Sequence, residues 1–267
     1  MSKVVLITGA SSGIGKSTAK LLSNKGFIVF GTGRNPKINE NKGYSLIPLD
    51  VTKPETISLA IDLILEKEGR LDVLVNNAGM GITGPIEDTP TNEMRKVFET
   101  NFFGAIDMMK AVLPQMRKQQ SGTIINVTSI AGYMGLPYRG VYSATKGALD
   151  LVSEAARMEV KEFGVNIVTI APGDVATNIA AGRYHTPVFD NSAYKEKYQM
   201  NLDLMDSHVD SGMNSIKMAE KIHQIVNLKQ PIVHYKVGAF MEKFSIVLKK
   251  ILPSKIYEKL LMNHYKL

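Results

Sequence analysis

Tyr142 and Lys146 stand four residues apart in Tyr142-Ser-Ala-Thr-Lys146. On a helix that spacing places both side chains on one face. Taken alone such a pair is common as a surface tyrosine beside a surface lysine; thirteen residues beyond Ser129 and after a strand it can also be a proton-transfer pair, because the cation favours phenolate and brings a group that titrates near ~10 toward neutrality. A second feature is Thr8-Gly9-Ala10-Ser11-Ser12-Gly13-Ile14-Gly15, which follows an apolar run and opens a helical stretch. Its glycines let the backbone turn sharply and approach a ligand, and the helix start offers unpaired N–H groups, so the segment reads as a phosphate cradle. The spacing is G-x-x-x-G-x-G rather than the general G-x-G-x-x-G of dinucleotide sites. His185, His208, His223, His234 and His264 show no metal-ligand spacing and are expected as ordinary surface or lid residues, with no metal site. The absence of cysteine excludes disulfides, thiolate metal sites and cysteine nucleophiles.

These residues need a scaffold, and the sequence supplies strands alternating with helices. Strands are expected at Val4–Thr8, Phe27–Thr32, Tyr44–Leu49, Leu71–Val75, Thr123–Val127, Val165–Ala171 and Ile232–Tyr235. Helices are expected at Ile14–Lys25, with Gly26 as its stop, at about 54–68, in one long stretch at about 91–119, and at Tyr142–Phe163. Several strands are apolar throughout, which marks a parallel sheet covered on both faces. The fold class expected is α/β, a doubly wound Rossmann-type sheet in a single domain. Residues 1–238 would form the dinucleotide-binding catalytic part, including a polar lid at about 178–214. Residues 239–267 would be a helical extension of the same domain.

Hydrophobic residues make up 44 % and charged residues 21 % of the 267, ordinary values for a globular protein. The apolar run after Met1-Ser2-Lys3 is too short for a signal peptide, and no stretch approaches the ~18 apolar residues of a membrane span, so a cytoplasmic protein is expected. The net charge of +7 is uneven: Ile216 to Leu267 holds ten lysines and three glutamates, which accounts for all of it. That segment is either a solvated surface or a contact for something anionic, while nucleic acid is not expected because no recognition motif accompanies the charge.

Over about residues 3–235 the chain resembles the short-chain dehydrogenases/reductases. The resemblance rests on Thr8 to Gly15, Asp50-Val51 after the third strand, Asn76-Asn77-Ala78-Gly79 after the fourth, Asn101, Ser129, Tyr142, Lys146 and Pro172-Gly173. It implies a nicotinamide dinucleotide across the C-terminal ends of the strands. Thr8, Gly9, Ser11, Ser12, Gly13, Ile14 and Gly15 would hold its pyrophosphate side, and Asp50 and Val51 its adenine. Asn77, Ala78, Gly79, Tyr142, Lys146, Pro172, Gly173, Val175 and Thr177 would hold the remainder. It also implies that Ser129 polarises a carbonyl, that Tyr142 exchanges the proton, and that Lys146 and Asn101 support it. At the end of the second strand, Gly33 stands where an acidic residue would select NAD, and Arg34 offers a planar fork to a 2′-phosphate, so NADP(H) is expected.

The lid and the lysine-rich tail are most similar to hydroxysteroid, retinol and acyl-dihydroxyacetone-phosphate reductase-like members. Met80, Ile82, Met134, Leu136 and Tyr138 would suit a bulky, lipid-like ketone or alcohol, and equally suit packing. A 3-oxoacyl-carrier-protein reductase is an alternative, and so is a non-catalytic NADP(H)-sensing regulator. The resemblance implies a homo-oligomer. In the tail, Phe240, Phe244, Val247 and Ile251 recur at helical spacing, and Pro253 divides two amphipathic pieces. Such pieces suit packing on the domain and equally suit peripheral contact with a membrane.

Overall fold

The computed structural model describes residues 2–36, 43–176, 182–210 and 212–267, with the backbone only at 206–210. Seven strands form one sheet: β1 (Val4–Ile7), β2 (Ile28–Gly33), β3 (Ser45–Pro48), β4 (Val73–Asn76), β5 (Gly122–Val127), β6 (Val165–Pro172) and β7 (His234–Val237). Their order is β3-β2-β1-β4-β5-β6-β7, parallel at every pairing. The chain starts in the middle and winds outward both ways, so a crevice opens at the C-terminal ends of β1 and β4.

Side chains alternate across each strand and build two cores. Val4 and Leu6 of β1, with Leu74 and Ile124, meet Ile57, Ile61 and Ile64 of α2 (Pro54–Glu68) and Met108, Val112 and Met116 of α4 (Gly104–Gln119). Val5 and Ile7, with Val75 and Ile125, meet Leu22 of α1 (Gly13–Asn24) and Met218, Ile222 and Ile225 of α7 (Ser215–Val226). The central strands β1 and β4 are apolar almost throughout because both of their faces are covered, as the sequence indicated.

Three boundaries differ from expectation. The stretch at 91–119 is not one α-helix: α3 (Thr91–Phe98) passes through a π-helical turn at Glu99–Phe103 before α4. That turn carries Asn101, whose bonds belong to the site described below. The helix bearing Tyr142, α5, runs Gly140–Glu159 and is followed by a separate 3₁₀ turn at Lys161–Phe163. The last strand begins at His234, not Ile232. His234 is therefore no plain surface residue. Its Nδ1 lies 2.9 Å from Thr169 Oγ1, and its Nε2 lies 2.9 Å from a Glu154 carboxylate oxygen. Asp150, Glu154 and His234 are the one group of potential metal ligands among the described residues, and those contacts explain their proximity.

The expected lid contains α6 (Lys195–Asp210) and is stitched down by two short parallel pairings, Ile82–Thr83 with Tyr184–His185 and Val175–Ala176 with Met213–Asn214. Residues 178–181 and 211 of it, and the side chain of His208, lie outside the described residues. The tail forms α8 (Phe240–Ile251) and α9 (Ser254–His264), parted at Pro253. Ile246 and Tyr257 are buried against Ile130, Met134 and Ala171, so the tail packs on the sheet's C-terminal edge. No helix among the described residues is long and apolar enough to cross a membrane.

Candidate active site

The glycine-rich turn is held from behind by the loop after β4. Thr8 Oγ1 accepts the N–H groups of Asn77 and Ala78, each at 2.9 Å, and the Asn77 amide donates to the carbonyls of Thr8 (2.9 Å) and Gly9 (3.1 Å). Gly9 and Gly13 adopt φ of +67° and +54°, which side chains rarely tolerate. A Cβ on Gly15 would run into the Gly9 carbonyl, so α1 can lie this close to the turn only with glycine there. The first bond of the helix start runs from Lys16 N–H to Ser12 O at 3.1 Å, and Ser12 makes no side-chain cap. The N–H groups ahead of it are thus directed out of the positive helix end, toward the exposed Ser11 and Ser12. This cradle fits a pyrophosphate.

Further along the crevice the expected residues divide by what their side chains already do. Gly33 is buried at the end of β2, and a Cβ there would make only ordinary contact with Ser11. Arg34 is exposed and close enough to Asp50 to help hold its carboxyl down. At Asp50 burial works upward, but hydrogen bonds from Thr52 and the charges of Arg34 and Lys53 together outweigh it. The Asp50 carboxylate accepts the Thr52 N–H (3.0 Å) and hydroxyl (2.8 Å). Val51 belongs to the core and offers a ligand only its backbone.

The catalytic candidates converge. Lys146 is buried, and its Nζ donates to Val127 O at 3.0 Å, beneath the end of β5. Burial pulls its pKa down from 10.5 to about 8. Its Nζ is 6.0 Å from the centre of the Tyr142 ring. A Cβ on Gly79 would stand 3.5 Å from that Nζ and 3.2 Å from Asn101 Oδ1. Asn101 is buried, accepts the Met80 N–H at 2.8 Å, and donates to Met80 O at 2.9 Å and Thr145 Oγ1 at 3.2 Å. One amide side chain thus clamps the backbone after β4 to the helix that carries Lys146. The π turn puts Asn101 where it can do so, in keeping with the frequency of such turns at functional sites.

Ser129 caps the 3₁₀ turn Ile130–Tyr133 by accepting the Ala131 N–H at 3.1 Å. Its side chain lies near enough to the Tyr142 hydroxyl to favour the phenolate. Burial raises the Tyr142 pKa, against the opposing charge of Arg139, the nearby Ser129 hydroxyl and the charge of Arg183. The sequence named Lys146 as the cation facing the phenol. The structure adds Arg139, whose guanidinium is 5.6 Å from the ring centre, just ahead of α5. Its position three residues before Tyr142 was the available signal. Arg183 gave none, since it arrives from the lid.

Ser129, Arg139, Gly173 and Asp174 border two spaces. A small one of about 70 Å³ lies against Ile14, Tyr142 and Val175. A large one of about 1030 Å³ runs beneath the lid and tail, with Met134, Leu136, Met205, Met213, Tyr257 and Leu261 on its apolar wall. Of the expected substrate-facing residues, Met134 and Leu136 line the large space and Ile82 the small one. Met80 is fixed through its backbone by Asn101, and Tyr138 packs on Tyr198 with ring centres 5.2 Å apart. Thr177 lies outside the described residues.

Sequence reasoning also missed Glu242. Its carboxylate leaves α8 to accept the N–H groups of Asp174 (2.7 Å) and Ala239 (2.6 Å). It occupies the space a Cβ on Gly173 or Gly238 would take. The tail thereby holds the backbone that follows β6.

A sheet edge with a phosphate cradle beside a buried lysine and a tyrosine is the arrangement of a nucleotide-dependent oxidoreductase. Residues 3–187 match the family model described as short chain dehydrogenase, and the chain belongs to this family of oxidoreductases acting on C=O and CH–OH groups. It is 39 % identical over 264 residues to 3-ketodihydrosphingosine reductase of Bacteroides thetaiotaomicron, covering 98 % of each chain. A short-chain dehydrogenase structure from Streptomyces avermitilis superposes with a TM-score of 0.83 at 31 % identity, over 97 % of this chain and 98 % of that one. A structure described as ElxO with NADP bound superposes at 0.73 and 30 % identity, over 89 % and 97 %.

Proposed function

We propose that the protein is an NADP(H)-dependent reductase of a bulky, lipid-like ketone. The observation that carries this is the space of about 1030 Å³ that reaches Ser129, far larger than a small ketone needs and partly walled by apolar side chains of the lid and the tail. The Bacteroides relative, named for a 3-keto sphingoid substrate, supports the same substrate class. Gly33 and Arg34 support NADP(H), as does the NADP-bound relative.

In this reading the turn from Thr8 to Gly15 takes the pyrophosphate and Arg34 the 2′-phosphate. The backbone of Asp50 and Val51 meets the adenine. Ala78, Gly79, Lys146, Pro172, Gly173 and Val175 would hold the nicotinamide ribose and ring, and Asn77 fixes the turn. The bound dinucleotide supplies the hydride. Ser129 Oγ donates to the substrate oxygen and holds the carbonyl in place. Tyr142 gives its hydroxyl proton to that oxygen, and the cations Lys146 and Arg139 stabilise the phenolate it leaves. Asn101 keeps Lys146 and the Met80 backbone in register.

The proposal extends to a homo-oligomer in the cytoplasm, with the basic tail turned toward a membrane. Leu151 and Met158, exposed on α5, suit contact with a second copy. The test is NADPH oxidation with long-chain 3-keto amines, steroids, 3-oxoacyl esters and short ketones. Turnover should rise with chain length and exceed that with NADH. Short ketones turned over as well as long ones would overturn the substrate class. Cofactor binding without turnover of any carbonyl would favour a sensing role.

A further inference from the structure

Helix α8 carries apolar side chains on two faces, and the protein covers only one. Ile246, Leu248 and Leu252 pack inward on Ile130 and Met134. Around the other side Phe240, Phe244, Val247 and Ile251 fall within about 60° of one another. All four are exposed, Phe240 by 72 % and Ile251 by 67 %. The rings of Phe240 and Phe244 stack at 5.6 Å with 14° between planes, so the stripe is a continuous surface. Helix α9 adds exposed Ile256 and Leu260. The spacing anticipated this stripe as one face, but packing uses the opposite side.

The exposed charges around the stripe are mostly positive, with Glu258 of α9 the one exposed acid beside them. Lys243 and Lys250 flank it on α8, and Lys255 and Lys259 lie on α9, all exposed. The acidic residue of α8, Glu242, is turned away onto the Asp174 and Ala239 N–H groups. Behind the stripe the same two helices close the large cavity through Met241, Leu248, Tyr257 and Leu260. An exposed apolar row bordered by lysines fits one kind of surface, an apolar layer under negative head groups. A two-fold contact with a second copy would set these lysine rows against each other, which like charges oppose.

We propose that the outer faces of α8 and α9 dock the protein on an anionic lipid bilayer, with both helices lying in the interface. The stripe enters the acyl boundary and the lysines meet the head groups. The docking stands whether or not the substrate is a lipid ketone, and its test reads binding, not turnover.

Full-length protein is sedimented with vesicles of phosphatidylcholine alone and of phosphatidylcholine with phosphatidylglycerol, at low and high salt. Binding is expected to the anionic vesicles, weakened strongly by salt because exposed charges are screened. Phe240→Ser with Phe244→Ser should lower partitioning about tenfold or more. Lys250→Gln and Lys255→Gln should each lower it about fivefold. Unfolding temperatures should be unchanged, since these side chains are exposed. The proposal is overturned if the full-length protein ignores anionic vesicles at low salt, or binds neutral vesicles equally well. It is also overturned if the Phe pair instead abolishes a dimer seen by ultracentrifugation without vesicles.

Discussion

Replacing Lys146 with methionine should change how stability depends on pH. The folded-state pKa is about 8 against 10.5 for an ordinary lysine, with burial as the cause. A depressed lysine means that the folded protein releases its proton first, so the unfolded chain binds more protons between those values. The cost of burying the charge is therefore fully present below about pH 8 and fades as pH rises toward 10.5. At about 1.4 kcal/mol per pH unit, that cost is roughly 3 kcal/mol near pH 7 and roughly 1 kcal/mol near pH 9.5. The Lys146→Met variant lacks this dependence. It also loses the bond to Val127 O, worth on the order of 1 kcal/mol, but that loss does not titrate. Urea unfolding of both proteins without cofactor, at pH 7 and pH 9.5, measures the difference. Relative to the variant, the wild type should gain about 2 kcal/mol over that range. A gap that stays constant with pH would refute the argument that Lys146 is buried as a strained cation.

Further outcomes follow from the crevice and the tail. Arg34→Ala should weaken NADPH binding by about 1.5–3 kcal/mol and leave NADH kinetics nearly unchanged, as read by titration with each cofactor; equal losses would remove the 2′-phosphate assignment. Glu242→Ala leaves the Asp174 and Ala239 N–H groups without their carboxylate, so α8 should exchange amide hydrogens faster, at a cost of about 1–3 kcal/mol in urea unfolding. Unchanged exchange in α8 would show that the carboxylate does not anchor the tail. Asn101→Ala should lower turnover more than it raises the KM for NADPH, because it frees the Met80 backbone from the helix of Lys146. An effect on KM alone would place Asn101 in cofactor binding.

The sheet was legible because a strand covered on both faces must be apolar at every position, as Val4–Ile7 and Val73–Asn76 nearly are. The glycine-rich turn was legible because Gly9, Gly13 and Gly15 answer to steric demands that no other residue meets. Local spacing also placed Tyr142 and Lys146 on one helix face. What escaped depends on contacts distant in sequence. Arg183 and Asp174 reach Tyr142 from the lid and the end of β6, and Glu242 reaches Asp174 across 68 residues. The π turn at Asn101 was invisible because the bonds Asn101 makes there are to the backbone of Met80, 21 residues earlier. In the tail, periodicity found an apolar stripe on α8, but the core cluster is built from Ile246 on its other side.

The claim that Tyr142 delivers the proton is tested most directly by Tyr142→Phe. The ring, its packing and the Lys146–Val127 bond all remain, and only the hydroxyl is lost. NADPH should bind the variant with a Kd close to that of the wild type, by fluorescence titration. Oxidation of NADPH by a long-chain ketone that the wild type reduces should fall by about a hundredfold or more, the scale of general acid catalysis. Near-normal turnover in this variant, with NADPH still bound, would contradict the account.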